Sequence, residues 1–160
     1  MASRAVAVTG IGLVTSLGQG AEANWEKLVA GESGIHRITR FPTDNLRTTI
    51  GGSVDFLLEQ PFSATQLSFA LARTAAAEAI AQAGLGQPGD FPGELFLASP
   101  PVEHEWPQRT RLDRQAPGQP HTYEGMMAAA AQAGEDIYVD FLNGTIADKL
   151  ADEFLSLIHI

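Results

Sequence analysis

The 160-residue sequence contains no cysteine. That absence excludes disulfides, thiolate-bound metals and a cysteine nucleophile anywhere in the chain. Positive charge is also scarce, because 10 lysines and arginines stand against 19 aspartates and glutamates, which leaves a net charge of −9. A protein with this charge repels nucleic acid and anionic lipid, so we expect neither as a partner.

The sequence also lacks long apolar runs. None is long enough to span a bilayer, and none follows a charged start in the manner of a signal peptide. We therefore expect a cytoplasmic protein that does not contact a membrane. With 44% hydrophobic and 18% charged residues, the composition is that of a globular protein, and the length fits one compact domain.

Apolar residues dominate two segments, residues 5–14 and 94–99. Nearly continuous apolar runs of this kind are typical of strands buried on both faces of an α/β sheet. Residues 48–57 alternate loosely between apolar and polar side chains and predict a short strand or hairpin arm. The order of predicted strands and helices favours an α/β fold with a mixed, partly parallel sheet and packed helices.

The clearest helix signal begins at Ser63, which has capping-box spacing with Gln66, and it ends at Gly84. Its many alanines indicate close packing, because small side chains allow two backbones to approach. A second capping box is predicted at Thr145 and Asp148. Apolar residues follow it at helical spacing, namely Ile146, Leu150 and Phe154. Further helices are predicted over 21–30 and 122–134, irregular chain over 100–121, and a short strand or apolar turn over 137–142.

Gly10 and Gly12, near the end of the first predicted strand, invite a dinucleotide-binding interpretation. The phosphate turn of that motif needs a third glycine for close helix packing, and Thr15 holds the position. We therefore expect no nucleotide cofactor, and we expect the two glycines to shape the end of a strand.

Residues 103–105 read Glu-His-Glu and look like a metal-binding triplet. Adjacent residues on an extended chain point to opposite faces, so the three cannot all reach one ion. The remaining histidines are isolated in the sequence and are expected at the surface: His36, His121 and His159. No Ser-His-Asp arrangement can be supported from the sequence, and we expect no metal.

Residues 6–18 read Val-Ala-Val-Thr-Gly-Ile-Gly-Leu-Val-Thr-Ser-Leu-Gly. This stretch resembles the opening strand of β-ketoacyl-acyl-carrier-protein synthases. The resemblance continues through residues 25–35 and 37–41, and the spacing between the blocks is similar to that of the family. It covers about residues 4–154 and is strongest before residue 42.

The resemblance implies the N-terminal half of a thiolase-like α/β fold, incomplete in this chain. It implies a β-ketoacyl synthase N-terminal domain over residues 1–154, followed by a tail at 155–160 that does not resemble the family. The family's reaction is a decarboxylative Claisen condensation of an acyl thioester with malonyl-carrier protein, in fatty-acid or polyketide synthesis. An acyl carrier protein is the implied partner, and the full-length enzyme is implied to be a homodimer.

In this family a cysteine nucleophile accepts the acyl chain, and two histidines stabilise the developing oxyanion. None of these groups can be assigned to this chain, so we expect no catalytic residue in it and no activity from it alone. A proline-rich stretch replaces the family's glycine-rich one, and we expect Val102 and Trp106 to line the acyl pocket or a dimer contact. The missing cysteine leaves an alternative open, a non-catalytic partner domain of a condensing-enzyme complex.

Overall fold

The computed structural model describes residues 5–60, 62–87, 89–98, 106–115, 122–133 and 144–155, with only the backbone for 106–109. Its helices are α1 (Ala21–Val29), α2 (Ala64–Ala83), α3 (Trp106–Gln115), α4 (Tyr123–Gln132) and α5 (Thr145–Phe154). Its strands are β1 (Val14–Thr15), β2 (Gly18–Gln19), β3 (His36–Arg37) and β4 (Ile50–Gly51).

The strands form two antiparallel hairpins. In the first, Val14 lies opposite Gln19. In the second, His36 lies opposite Gly51, which confirms the hairpin arm predicted within residues 48–57. Within the described ranges, parallel pairing is limited to a single bridge between Phe91 and Leu155. The described residues therefore form two separate antiparallel pairs and this one bridge, and they do not form the mixed sheet predicted from the sequence.

Helix α2 follows the prediction from its sequence closely. The Ser63 hydroxyl accepts a hydrogen bond from the Gln66 backbone amide at 3.1 Å, and the Gln66 side chain accepts one from the Ser63 amide at 2.8 Å. This reciprocal pair satisfies two of the amide groups that a helix start leaves without partners. At the other end Gly84 takes the left-handed conformation, with φ of 67°. Glycine adopts it without the steric cost that a Cβ would bring.

The main apolar core lies between α2 and α5. Four side chains are buried there: Ile80, Ile146, Leu150 and Phe154. The apolar stripe predicted on α5 is therefore confirmed. The Arg73 and Glu153 side chains add an ion pair across the same two helices at 2.5 Å. A second, smaller core holds α3 against α4 through Leu112, Ala129 and Ala130.

The capping box predicted at Thr145 and Asp148 does not form. The capping position of α5 is Gly144, whose backbone carbonyl accepts from the Asp148 amide, and no side-chain cap is present. Thr145 is already the first helical residue, so its hydroxyl lies one position too far along the chain to cap the helix.

Residues 100–121 were predicted to be irregular, and this is wrong for 106–115, which form α3. Pro107 is the second residue of the helix, where its missing amide hydrogen removes no helical hydrogen bond. Proline therefore marks the start of this helix rather than its interruption. The remainder of the predicted excursion, and the strand or turn predicted at 137–142, lie outside the described residues.

The two buried strands predicted at 5–14 and 94–99 are also wrong over most of their length. Residues 5–13 and 94–98 form no strand, and β1 takes up only the end of the first segment. Val6 and Val8 are 94% and 81% exposed, and Phe96 is 86% exposed. A strand needs backbone partners on a neighbouring strand, and within the described ranges the backbone of residues 5–12 and 94–98 has none.

Candidate functional site

The side chains of the two residues predicted to line an acyl pocket or dimer contact both lie outside the described part of the chain. Val102 lies outside the described residues, and Trp106 is the first residue of α3, where only the backbone is described. Their role in lining an acyl pocket or dimer contact therefore remains a prediction. Most of the side-chain hydrogen bonds among the described residues lie in the N-terminal 84 residues, and a further one joins α2 to α5.

Gly10 and Gly12 have a packing role that the sequence did not reveal. A Cβ added at Gly12 would lie 1.8 Å from the Ala75 carbonyl oxygen, and one added at Gly10 would lie 2.1 Å from the Ala79 oxygen. Both distances are far inside van der Waals contact, so only glycine fits. The predicted close packing of the alanine-rich helix is thus confirmed, although its neighbour is an irregular segment instead of a sheet. Helix α2 therefore occupies the space directly beside the two glycines.

Polar side chains of α2 hold the same segment. The Gln82 side-chain oxygen accepts from the Ile11 amide at 2.6 Å, and Glu78 Oε2 accepts from the Leu13 amide at 2.9 Å. Glu78 Oε1 also accepts from the Ala21 amide at 2.7 Å. The contact with the Ala21 amide places the Glu78 carboxylate at the N-terminus of α1, where the helix dipole favours negative charge. One carboxylate therefore ties α1 and residues 11–13 to α2.

Asn24 forms the polar centre of the N-terminal hairpin. Its side chain is fully buried, and its Nδ2 donates to the Gly18 carbonyl at 2.9 Å and to the Gly20 carbonyl at 2.7 Å. Its Oδ1 accepts from the Thr15 hydroxyl. Because a buried amide costs free energy unless it is hydrogen-bonded, these three contacts make Asn24 a structural residue that fixes the hairpin on α1.

A serine, a histidine and an aspartate meet beside the second hairpin. His36 Nε2 lies 3.1 Å from Asp55 Oδ2 and 3.0 Å from the Ser53 hydroxyl, which donates to Asp55 Oδ2 at 2.7 Å. His36 Nδ1 lies 3.1 Å from the Gly34 carbonyl oxygen. His36 is exposed at the surface as expected, and its contacts with Ser53 and Asp55 were not predicted from the sequence. The β3–β4 pairing explains this, since it brings the residues just after Gly51 alongside His36.

These three residues do not have the geometry of a hydrolytic triad. In a triad the serine and the aspartate bond opposite nitrogens of the imidazole, so that the base can pass a proton between them. Here Ser53 and Asp55 share Nε2, and a backbone carbonyl occupies Nδ1. The serine hydroxyl donates to the carboxylate instead of to the histidine. The cluster is best described as a tie between the hairpin and the chain that follows it.

The pKa of the Asp55 carboxyl is lowered from its ordinary value, chiefly because the Ser53 hydroxyl donates a hydrogen bond to it. Burial acts in the opposite direction, and His36 and Arg40 add to the lowering. The other carboxylate oxygen, Oδ1, is buried without a hydrogen-bond partner among the described residues. The hydrogen bonds that favour the ionised form are therefore all on Oδ2, and the charge of Arg40 adds to their effect.

Within the described ranges, no group of three or more histidine, aspartate or glutamate side chains could hold a metal ion. The Glu-His-Glu stretch at 103–105, together with His121 and His159, lies outside those ranges. None of the described helices is both long and apolar enough to cross a membrane.

The model of the β-ketoacyl synthase N-terminal domain matches residues 3–90 of the chain. This match includes the glycine segment, α1, both hairpins and α2. The chain therefore belongs to the β-ketoacyl synthase family, as the resemblance in its opening residues predicted. The family implies a thiolase-like α/β fold for the intact protein. No solved structure matches the chain.

Several curated relatives are similar to the N-terminal part. The chain is 43% identical over 54 residues to 3-oxoacyl-[acyl-carrier-protein] synthase 2 of Vibrio cholerae, covering 34% of this chain and 13% of the relative. It is 45% identical over 49 residues to the chloroplastic 3-oxoacyl-[acyl-carrier-protein] synthase I of Arabidopsis thaliana, covering 31% and 10%.

A longer and weaker match reaches a Streptomyces halstedii protein whose name describes a polyketide β-ketoacyl synthase. The identity there is 34% over 99 residues, covering 58% of this chain and 24% of the relative. In each of these comparisons the chain spans a quarter or less of the relative's length.

Proposed function

We propose that this chain is the N-terminal part of a 3-oxoacyl-acyl-carrier-protein synthase. The intact enzyme would catalyse decarboxylative Claisen condensation of an acyl thioester with malonyl-carrier protein, in fatty-acid or polyketide synthesis. The observation that carries the proposal is the family match over residues 3–90, supported by identities above 40% to two 3-oxoacyl-acyl-carrier-protein synthases. The partners would be an acyl carrier protein and, at full length, a second subunit, in the cytoplasm.

The 160-residue chain on its own is proposed to be inactive. It has no cysteine to accept the acyl group, and its described residues form no base and oxyanion pocket that could replace one. The synthase domain would extend to residue 154, with 155–160 as a separate tail. Val102 and Trp106 would line the acyl pocket or the dimer contact of the complete enzyme.

The first experiment is to sequence the coding DNA beyond the codon for Phe154. A frame that continues into a strand, a cysteine-bearing turn and later histidines would support the synthase proposal. A stop codon directly after Ile160 would contradict it and favour the non-catalytic partner domain, for which the absence of cysteine is the supporting observation.

A second experiment measures carbon dioxide release from malonyl-carrier protein by the purified 160-residue chain. We expect no release above a protein-free control. Decarboxylation by the chain itself would contradict the assignment of the catalytic groups to a region outside it. In the complete enzyme, Val102→Phe should shift the preference to shorter acyl chains, and an unchanged preference would remove Val102 from the pocket.

A further inference from the structure

Both ring nitrogens of His36 lie against oxygen atoms that accept hydrogen bonds. Nδ1 is 3.1 Å from the Gly34 carbonyl oxygen, and Nε2 is 3.1 Å from Asp55 Oδ2. The Ser53 hydroxyl lies 3.0 Å from Nε2, but it donates its hydrogen to the same carboxylate and offers Nε2 only a lone pair. A neutral imidazole has one N–H and an imidazolium has two, so only the protonated ring can donate at both ends.

The two ends of the His36 ring differ in the acceptor that they face. Nε2 faces a carboxylate, and a hydrogen bond to an ionised acceptor is roughly twice as strong as one to a neutral carbonyl. The pKa of Asp55 is lowered, chiefly by the Ser53 hydroxyl, so this carboxylate stays ionised over the range of about pH 5 to 8 in which histidine changes its charge. When the ring becomes neutral, the remaining proton is therefore held on Nε2, and the proton that leaves is the one on Nδ1.

The other charged groups near the ring leave this difference in place. Arg40 acts through Asp55, where its charge helps to lower the carboxyl pKa, and its guanidinium lies 4.9 Å from the centre of the Phe62 ring. Arg37 follows His36 on β3, and adjacent residues of a strand point to opposite faces. Among the described residues, Asp55 is the one carboxylate within salt-bridge distance of the imidazole.

We propose that His36 is a pH-sensitive switch whose Nδ1 proton controls the contact with the Gly34 carbonyl. With Nδ1 protonated, the ring joins Gly34 to Asp55. With Nδ1 deprotonated, two acceptors face each other at 3.1 Å and the Gly34 contact opens, while the Asp55 contact remains. Gly34 and Gly52, on either side of the second hairpin, both pack against Ser16 in the turn of the first. The switch therefore acts where the two hairpins meet, and it is independent of the proposed condensation reaction.

NMR of the isotope-labelled 160-residue chain tests the switch, because imidazole nitrogen chemical shifts report which nitrogen carries a proton. We expect both His36 nitrogens to be protonated near about pH 5, and only Nε2 to be protonated near about pH 8. The Gly34 carbonyl carbon should shift upfield over the same range because it loses a hydrogen-bond donor, while the Asp55 carboxyl stays ionised. A neutral ring with its proton on Nδ1 would overturn the proposal, and this measurement on the wild type requires no variant.

Asp55→Asn separates the switch from the ordinary titration of a surface histidine. The amide in this variant has no charge to hold the Nε2 proton and can itself donate to Nε2, as can the Ser53 hydroxyl. The neutral ring should then keep its proton on Nδ1, and the Gly34 carbonyl shift should lose most of its pH dependence although His36 still titrates.

Asp44→Asn is the matched control, because it makes the same change of charge at an exposed position between β3 and β4. It should leave the His36 nitrogen shifts and the Gly34 carbonyl shift as they are in the wild type. Equal pH dependence of the Gly34 carbonyl in the wild type and in Asp55→Asn would overturn the proposal, and so would its loss in Asp44→Asn.

Discussion

The α2–α5 pair and residues 5–13 are both apolar, yet the structure treats them in opposite ways. Helices α2 and α5 bury their apolar stripes against each other, and Leu150 and Phe154 are each only 1% exposed. Residues 5–13 leave most of their apolar side chains in solvent. A helix satisfies its own backbone and needs only one apolar neighbour, whereas a strand also needs backbone partners from elsewhere in the chain. Helices α2 and α5 therefore have their backbone hydrogen bonds and a packed apolar face, whereas most of residues 5–13 has neither.

The largest loss of stability is expected when the Phe154 side chain is truncated. Phe154→Ala should lower the free energy of unfolding by about 3–5 kcal/mol, because it removes a fully buried ring and leaves a cavity between α2 and α5. The matched control is Phe96→Ala, at a phenylalanine that is 86% exposed. It should change the free energy of unfolding by no more than about 0.5 kcal/mol. Urea denaturation of both variants measures the difference, and equal losses would show that burial of Phe154 between α2 and α5 does not stabilise the protein.

The next largest loss of stability is expected where residues 10–12 contact α2. Gly12→Ala would force a methyl group to within 1.8 Å of the Ala75 carbonyl oxygen, so the segment must move off α2. We expect a loss of about 1–3 kcal/mol in unfolding free energy, as for other overpacked sites. Hydrogen exchange at the Leu13 amide should accelerate together with this loss, because its acceptor Glu78 would be displaced.

Gly144→Ala is the control for that substitution. Among the described residues, a Cβ at Gly144 would meet only the Asp148 carboxylate at 3.6 Å, an ordinary contact, and its φ of −79° suits any residue. We expect little change in stability and none at the Leu13 amide. If the two glycine variants lost stability equally, the close approach of residues 10–12 to α2 would not be the cause.

A smaller effect is expected at Glu78, which joins the regions by hydrogen bonds rather than by packing. Glu78→Gln removes the charge and leaves one amide oxygen to serve two backbone donors, the amides of Leu13 and Ala21. We expect a loss of about 1–2 kcal/mol, since hydrogen bonds to charged groups exceed neutral ones. Glu26→Gln, at an exposed position of α1, is the control and should be nearly neutral. Equal losses of unfolding free energy in the two variants would mean that the Glu78 carboxylate is not needed to hold residues 11–13 and α1 against α2.

The sequence predicted those parts of the fold whose signals are local. The capping box at Ser63 and the left-handed Gly84 both act within one turn of α2, and both are present. The stripe on α5 needed only helical spacing, and it is buried as predicted. The strand predictions for residues 5–13 and 94–98 were wrong. An apolar pattern indicates that a segment can be buried, but it does not indicate whether a partner strand lies beside it.

The side-chain cluster of Ser53, His36 and Asp55 was missed for a related reason. No sequence spacing links residue 36 with residues 53 and 55, and only the β3–β4 register brings them together. The weak alternation over residues 48–57 was a signal for that hairpin, but the partner strand has only two residues. The family itself was predictable, because an ungapped match of residue types is a stronger signal than any single pair of glycines.

The smallest effect is expected at this cluster, and it concerns titration. The Ser53 hydroxyl is the main cause of the lowered Asp55 pKa, so Ser53→Ala should raise that pKa towards the ordinary value. Because the pKa is lowered by folding, the stability from this carboxyl is fully present above the unfolded-state value of about 3.9 and is lost as the pH falls through the lower folded value. With its folded pKa closer to the unfolded value, the variant should gain less stability from this carboxyl, and that smaller contribution should be fully lost at a higher pH than in the wild type. Carboxyl carbon chemical shifts followed by NMR measure the change directly.

Ser33→Ala, whose hydroxyl bonds only the Ile35 amide among the described residues, should leave the Asp55 titration unchanged. An Asp55 curve that is the same in the wild type and in Ser53→Ala would show that the serine does not hold the carboxylate in its ionised form.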